Sequence, residues 1–350
     1  MVTPALTVLA SGARTPLGFR SAPIAAALRA GINRLGEHPH WIDRLGNPMV
    51  AALDSELDPH LDHPARLCVL AETALAEICA AVPRFAVPPS VRLFLALPEL
   101  RPGFTARDAE QVRAHLAALP GLPFHLRSVD LFPLGHAGGA VALQTAAEAA
   151  AQGQDWCLVG GVDSYFHPRT MDWLDSHGQL AGEDARSAFV PGEGAGMLLL
   201  GRTPLPPHLP GQARITGIGL AVEQALIKTE ALCVGLSLTT AVEGACAGLP
   251  AGYRVNDVAC DLNGERSRAQ EWGFASLRVA RHFDNPLDFR APAGSWGDMG
   301  AASIPLFAML ACQAAARRYA RGPHALAWAS SEGGQRGAVL LQLPFTPKDD

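Results

Sequence analysis

Apolar residues occur in two patterns that alternate along the chain: short continuous runs, and stripes at helical spacing. Short apolar runs are typical of buried strands, whereas apolar residues three and four positions apart indicate helices. The runs predict strands at 6–10, 91–97, 129–134, 156–162, 213–220, 255–262 and 338–343. The stripes predict helices at 22–30, 66–81, 107–118, 140–151 and 236–247.

This alternation predicts an α/β fold with mostly parallel sheets and helices packed outside them. A proline-rich connector at 203–211 separates two cycles of strands and helices. We therefore expect an N-terminal half at 1–202 and a C-terminal half at 212–350. Residues 34–63 are rich in His, Pro, Asp and Asn, and predict an irregular surface excursion.

The segment 128–151, SVDLFPLGHAGGAVALQTAAEAAA, predicts a strand, a sharp turn and a helix. Gly135 permits the turn, and His136 lies at the corner, where the helix N–H groups point toward it. This is the geometry of a nucleophile elbow, so His136 is the predicted centre of a site. The positive end of the helix is expected to keep its imidazole neutral near pH 7.

Composition excludes several classes of function. A net charge of −5 without a run of Lys or Arg argues against nucleic acid and anionic membrane as partners. The seven cysteines are scattered, which predicts reduced thiols and a cytoplasmic protein. The N-terminus lacks the basic region of a signal peptide, and the apolar run 304–316 is too short to span a membrane. We expect no cofactor and no metal, because Pro39 and Pro64 break any helical ligand face among the loop histidines.

Several motifs resemble those of the β-ketoacyl synthases, which have the thiolase fold. The turn at 12–18 is similar to their G-x-x-T-P-L-G turn, and the VAL run at 141–143 to the helix after their active-site Cys. The most specific match is AFVPGEGAGMLLL at 188–200, in which Glu193 is interpreted as a structural anion. The resemblance covers nearly the whole chain. It implies a thiolase-like fold of two related βαβ halves in a layered α-β-α-β-α architecture.

The side chains that carry ketosynthase chemistry are exchanged in this sequence. His136 replaces the nucleophilic Cys, and Asn263 stands at the position of the first catalytic His. Asp298 lies near the position of the second His, in a segment without the family's Lys. Glu332 lies near the position of the family's Phe gate. All four are interpreted as vestigial, because nucleophile and enolate stabilisation are lost together.

Two functions stay open at this stage. The first is a non-catalytic pseudo-ketosynthase acting as an assembly or adaptor partner, with a type VI secretion effector-associated role as one version. The second is an acyltransferase with altered chemistry, or an inactive subunit of a ketosynthase pair in fatty-acid or polyketide synthesis. In the catalytic version His136 acts as a base, oriented by Asp163, Asn263, Asp298 or Glu332, on a hydroxyl such as that of Ser295.

Partners follow from the same resemblance. We expect a homodimer, or a heterodimer with a ketosynthase-like chain, and an effector or an acyl carrier protein as a further partner. The strand 156–162 and the small residues of the elbow helix are the predicted interface. The identity of the partner, any acyl ligand and the pathway are not given by the sequence.

Overall fold

The computed structural model describes residues 6–82, 87–182, 185, 187–205, 209 and 211–345. The strands are β1 (Leu6–Arg14), β2 (Gly36–Ile42), β3 (Pro48–Ala51), β4 (Ser90–Ala96), β5 (His125–Phe132), β6 (Trp156–Ser164), β7 (Glu193–Arg202), β8 (Ala213–Val222), β9 (Asp257–Cys260), β10 (His324–Ser330) and β11 (Gln335–Gln342). The helices are α1 (Ser21–Arg29), α2 (His63–Ala81), α3 (Ala106–Ala117), α4 (Gly138–Ala151), α5 (Pro168–Ser176), α6 (Leu236–Cys246), α7 (Arg266–Val279), α8 (Ala293–Trp296) and α9 (Ser303–Ala316).

Nine of the described strands form one mixed sheet, in the order β5-β4-β6-β7-β1-β8-β11-β10-β9. The centre of this sheet is a short antiparallel pairing of β1 with β8. Outward from the centre, the N-terminal half runs β1, β7, β6, β4 and β5, and the C-terminal half runs β8, β11, β10 and β9. The corresponding order of the first four strands on each side confirms the prediction of two related halves.

The helices lie in three layers, separated by the two halves of the sheet. Helices α4 and α9 contact strands of both halves, and their apolar side chains form one shared hydrophobic core. On the outer faces, α2 and α3 cover the N-terminal half, and α6 and α7 cover the C-terminal half. The α-β-α-β-α layering predicted from the resemblance is confirmed.

The excursion at 34–63 is more regular than predicted. Strands β2 and β3 form an antiparallel hairpin, in which Gly36 pairs with Ala51. Met49 and Ala51 pack into a small core with Phe166, and the His38 ring stacks on Trp41 at 4.3 Å. Loop-like composition concealed the strand, because Pro39 is tolerated in a strand that has a partner on one side only.

Strand β6 is not available for pairing with another chain. It hydrogen-bonds to β4 on one side and to β7 on the other. The prediction that 156–162 forms the interface is therefore wrong, and the edge of the N-terminal half is β5. The predicted connector 203–211 lies partly outside the described residues, so the division at it stays a prediction. None of the described helices has the length and apolarity needed to cross a bilayer.

Candidate functional site

The elbow at the end of β5 has the predicted shape. The Gly135 N–H donates to the Leu97 carbonyl at 3.0 Å, and Gly135 has φ 62°, a conformation that favours glycine. A side chain at this position would also meet the Glu99 side chain at 3.1 Å. The chain then passes through a short 3₁₀ turn into α4, and His136 is buried, with 4% of its surface exposed.

A second turn from the C-terminal half faces this elbow. Gly300 has φ 46°, and a Cβ there would lie 1.9 Å from an Asp163 carboxylate oxygen. The N-termini of α4 and α9 meet closely, because a Cβ on Gly139 would lie 2.8 Å from Pro305. This approach places Asp298, just before the second turn, against His136.

Asp298 connects His136 to Asn263. Its Oδ1 lies 2.8 Å from His136 Nε2 and also accepts hydrogen bonds from the Tyr165 hydroxyl and the Gly300 N–H. Its Oδ2 accepts a hydrogen bond from Asn263 Nδ2 at 2.6 Å. Burial opposes its ionisation, but His136 and Arg268 lower the pKa of Asp298 far below its ordinary value. Asp298 is therefore a fully hydrogen-bonded anion.

The pKa of His136 is shifted in the direction opposite to the one expected from the helix end. Burial lowers its pKa, but the Asp298 carboxylate outweighs burial, so the pKa of His136 is raised above its ordinary value. The guanidinium of Arg268 lies 3.4 Å from the same Nε2, a longer contact than the one to Asp298. The Nε2 hydrogen therefore points to Asp298, and the ring favours the imidazolium form. The helix end therefore does not decide the direction of this shift, because the Asp298 carboxylate at 2.8 Å raises the pKa of His136.

Arg268 of α7 brings a guanidinium into contact with His136, and this role was not predicted. It is 1% exposed. Its Nε donates to Glu265 at 3.0 Å, and its Nη1 donates to Asp261 at 2.7 Å and to the Ser330 carbonyl at 2.6 Å. Burial lowers the pKa of Arg268, but these acidic residues raise it well above its ordinary value. The only sequence signal was the spacing of Glu265 and Arg268 at i and i+3.

Glu332 is held by a lysine from a distant segment. Lys228 Nζ contacts Glu332, lies 2.9 Å from Glu265 Oε1 and donates to Gln179 at 3.1 Å. It also lies 5.1 Å from the centre of the Phe189 ring. No motif pointed to Lys228, but it is one of only two lysines in the sequence. The family's lysine segment thus lacks a lysine here, while Lys228 enters the same region from another loop.

A cavity of about 90 Å³ lies beside His136. Glu332 lines it together with three charged residues that the sequence reading had not placed together: Glu99, Arg101 and Asp163. Arg101 donates to Asp163 at 2.6 Å, and Glu99 accepts the Gly333 N–H at 2.9 Å. Ligand pockets usually occupy about 300–1,000 Å³. This cavity is smaller than that range.

The structure thus brings all four predicted site residues together. Asn263 and Asp298 reach His136 through hydrogen bonds, and Glu332 lines the cavity beside it. Of the proposed orienting groups, Asp298 contacts His136 directly. Ser295 lines a different, larger groove, so the hydroxyl suggested for the catalytic version is not in this cavity.

Other nucleophiles are also occupied or inactive. The Ser331 hydroxyl donates to the Leu134 carbonyl at 2.5 Å and accepts the Ala137 N–H at 2.9 Å. All seven cysteines are free thiols. Burial raises the pKa of four of them to about 12, namely Cys68, Cys157, Cys246 and Cys312. Neither the Ser331 hydroxyl nor any of these four thiols is therefore activated.

Two further acidic residues have structural partners. Glu193 accepts hydrogen bonds from Arg66, the Asp54 N–H and the Ser164 hydroxyl, which confirms its interpretation as a structural anion. In the described part of the chain, one group of metal-ligand type occurs, formed by Glu223, Cys233 and Glu271. Arg336 Nε donates to Glu271 at 2.6 Å, so a guanidinium already balances this carboxylate.

Comparisons with known proteins agree with this architecture. The model of the β-ketoacyl synthase N-terminal domain matches residues 136–204, beginning at His136. No curated protein matches the sequence. Among solved structures, the ishigamide ketosynthase/chain length factor has 20% identity and a TM-score of 0.69, over 97% of this chain and 99% of that one.

Two further structures show the same likeness. A ketosynthase in complex with its chain length factor from Xenorhabdus doucetiae has 17% identity and a TM-score of 0.70, over 97% of this chain and 98% of that one. A type II polyketide synthase acyl-carrier protein in complex with its ketosynthase has 14% identity and a TM-score of 0.77, over 97% and 100%. The chain therefore has the thiolase-like fold of ketosynthases over nearly its whole length.

Proposed function

We propose that this ketosynthase-like chain performs no condensation and acts as a partner subunit or adaptor. The observation that carries the proposal is the pairing of His136 with Asp298 at the nucleophile position. An imidazolium whose Nε2 hydrogen is held by a carboxylate has no lone pair at that atom to attack a thioester or accept a proton. Attack by Nε2 of His136 therefore requires breaking its buried pairing with Asp298.

The surroundings of His136 support the same proposal. Condensation needs donors aimed at a developing oxyanion and room for an acyl group. The Gly333 N–H, on the loop beside His136, already donates to the Glu99 carboxylate. Glu332 and Lys228 form an ion pair at the edge of a cavity of about 90 Å³. A site filled by its own charged side chains suits a structural role.

For the partner, we propose a ketosynthase-like chain, either a second copy of this one or a different chain. The likeness to structures that contain a ketosynthase with its chain length factor supports this choice. The edge strand β5 is the candidate contact, since strands at a free edge readily pair with another chain. An acyl carrier protein is a further candidate, because one similar structure holds a ketosynthase with its carrier protein.

The non-condensing proposal is tested by looking for a covalent intermediate. Purified protein is incubated with acyl-coenzyme A and with acylated carrier protein, and its intact mass is measured. We expect no adduct, with a condensing ketosynthase as positive control. A stoichiometric acyl adduct that maps to His136 and disappears in His136→Gln would refute the proposal.

The His136–Asp298 pair also supports a second candidate, an acyltransferase with altered chemistry. A histidine oriented by a carboxylate is the base of many hydrolases. That role requires the other ring nitrogen, Nδ1, to act on a substrate in the cavity. Thioester hydrolysis that is lost in His136→Gln and retained in Glu332→Gln would favour this candidate.

Two finer parts of the proposal concern secretion and location. The type VI secretion effector-associated role comes from the family resemblance alone, and genome neighbours encoding secretion-spike and toxin proteins would support it. A cytoplasmic location is supported by the seven free thiols, since oxidising compartments favour disulfides. Fractionation of cells that express the tagged chain tests the location.

A further inference from the structure

A groove of about 1,480 Å³ runs between α1 and the C-terminal end of α9, and it shares no lining residue with the cavity at His136. Its described lining contains four arginines and no acidic residue: Arg29, Arg290, Arg318 and Arg321. The volume exceeds the range of about 300–1,000 Å³ that is usual for small ligands. The groove therefore has the size and charge to receive an acidic segment of another molecule.

The four arginines differ in how they are balanced. Asp257 lies 3.1 Å from Arg290 and 3.7 Å from Arg321, and Asp288 lies 2.5 Å from Arg321. Among the described residues, no carboxylate lies within 4.0 Å of Arg29 or Arg318. Two guanidinium groups thus line the groove without an acidic partner.

Tyr319 orders part of this charged surface. The guanidinium of Arg29 lies 4.6 Å from the centre of its ring, and that of Arg290 lies 5.9 Å from it. A guanidinium held on an aromatic face loses less conformational entropy when it binds a carboxylate. The stacking therefore prepares both arginines for an anionic ligand.

Arg318 adds a second observation that is independent of charge. It has φ 57°, directly after the end of α9, where helices usually have glycine because other residues are strained there. Arg318 is one of two described residues other than glycine with positive φ. An arginine in a glycine position, at a residue that lines the groove, is consistent with a functional role for its guanidinium.

The groove also has an apolar part. Leu28, Leu310, Pro344 and Phe345 contribute to its lining, and Phe345 is 38% exposed. An acidic peptide with apolar side chains matches both parts, whereas an isolated phosphate group matches only the arginines. We propose that this groove binds an acidic, amphipathic segment of a protein partner. The proposal is independent of the chemistry at His136, because binding is measured without an acyl donor.

The test uses the full chain and a fluorescein-labelled peptide of glutamate and leucine at helical spacing, followed by fluorescence anisotropy. We expect saturable binding that weakens as salt is raised, since exposed charges are screened. Arg29→Glu and Arg318→Gly are each expected to weaken binding by about tenfold. Arg107→Glu, an exposed arginine on α3, is the matched control and should leave binding unchanged.

Arg318→Gly separates binding from folding. Glycine relieves the strain of positive φ, so this variant should unfold at a higher urea concentration while binding the peptide more weakly. Unchanged binding in both groove variants would overturn the proposal. Equal binding of a glutamine–leucine peptide would also overturn it, as would displacement of the acidic peptide by micromolar pyrophosphate or tighter binding of single-stranded RNA.

Discussion

His136 is a buried base between an aspartate and an arginine, and its protonation is linked to the stability of the fold. The pKa of His136 in the folded protein is raised by Asp298, whereas in the unfolded chain it has the ordinary value of about 6.5. A group whose pKa is raised by folding stabilises the folded protein, and this contribution is complete below the pKa of the unfolded chain. That contribution is lost as the pH rises through the folded pKa.

We therefore expect the free energy of unfolding to fall as the pH rises above about 6.5. His63 does not change the free energy of unfolding in this pH range, because burial lowers its pKa to about 4. The measurement is urea unfolding at several pH values from neutral to mildly alkaline, with His136→Gln as the comparison. The variant should lose most of the decline, and an identical decline in both proteins would contradict the assignment.

Removal of the carboxylate should be more damaging than removal of the ring. Asp298→Asn leaves the buried His136 without its anionic partner and beside the Arg268 cation, and breaking a buried pair in this way costs about 3–5 kcal/mol. His136→Gln should cost less, because Asp298 keeps the Asn263, Tyr165 and Gly300 hydrogen bonds. Urea unfolding of both variants and of the double variant gives the coupling energy. Additive effects would indicate that the two side chains do not interact.

Restoring a thiol at the elbow should not restore condensation. In His136→Cys, the N-terminus of α4 and the nearby Arg268 should lower the pKa of the new thiol, so that iodoacetamide labels it. Groups for decarboxylation and oxyanion binding remain absent, and single groups returned to a cooperative site recover little activity. We expect labelling without β-ketoacyl product from a malonyl thioester. Product above the wild-type background would support the acyltransferase candidate.

At the scale of elements, the site depends on the close approach of α4 and α9. Gly139 is the contact point, since a Cβ there would lie 2.8 Å from Pro305 and 2.9 Å from Ile304. Overpacking of such a contact typically costs about 1–3 kcal/mol. Glycine in a helix is otherwise less stable than alanine by about 1 kcal/mol. The two effects on stability have opposite signs. At Gly139 the close contact makes the destabilising effect the larger one.

We expect Gly139→Ala to lower the free energy of unfolding and Gly273→Ala to raise it. Gly273 is the matched control, because it lies within α7, is exposed, and a Cβ there meets no atom within 4 Å. Chemical denaturation of the two variants provides the measurement. Stabilisation by both alanines would show that α4 and α9 can separate without loss.

The sequence predicted those parts of the site that follow from local pattern. The elbow at His136 lies where glycines and apolar runs indicated it, and Asn263 and Asp298 were found by motif position. Arg268, Lys228 and Arg101 were missed because each reaches the site from a segment without a motif. The direction in which the pKa of His136 is shifted was also missed. It depends on the 2.8 Å distance to Asp298, which is set by packing between the two halves.

The same limit applies to strand order. Periodicity predicts the central strands but not their neighbours, so it does not show that β6 lies between β4 and β7 rather than at an interface. An apolar run such as that of β6 is typical of a strand buried on both faces. Strand β5 has mixed exposed and half-buried positions, as expected of an edge. The apolar character of β6 therefore indicated burial within the fold rather than a contact with another chain.

At the scale of the whole molecule, the nine-stranded sheet has two ends of different kinds. At one end, β9 has only four residues, and isolated bridges connect Val255 to Phe283 and Ala259 to Arg290 beside it. At the other end, β5 has eight residues, and no bridge to its outer edge occurs among the described residues. A long free edge favours pairing with another strand. This asymmetry places the proposed subunit contact at β5.

We expect the purified chain to be a dimer by light scattering at micromolar concentration, or to form a one-to-one complex with a coexpressed ketosynthase-like partner. Leu131→Lys should weaken either assembly, because a charged side chain on an edge strand disfavours pairing. The aliphatic stem of lysine keeps much of the apolar contact of the half-buried Leu131, so the fold should persist. Leu277→Lys, at a position 79% exposed on α7, is the matched control and should leave assembly unchanged. A monomer that binds no such partner, or a dimer unaffected by Leu131→Lys while thermal unfolding stays normal, would exclude β5 as the contact.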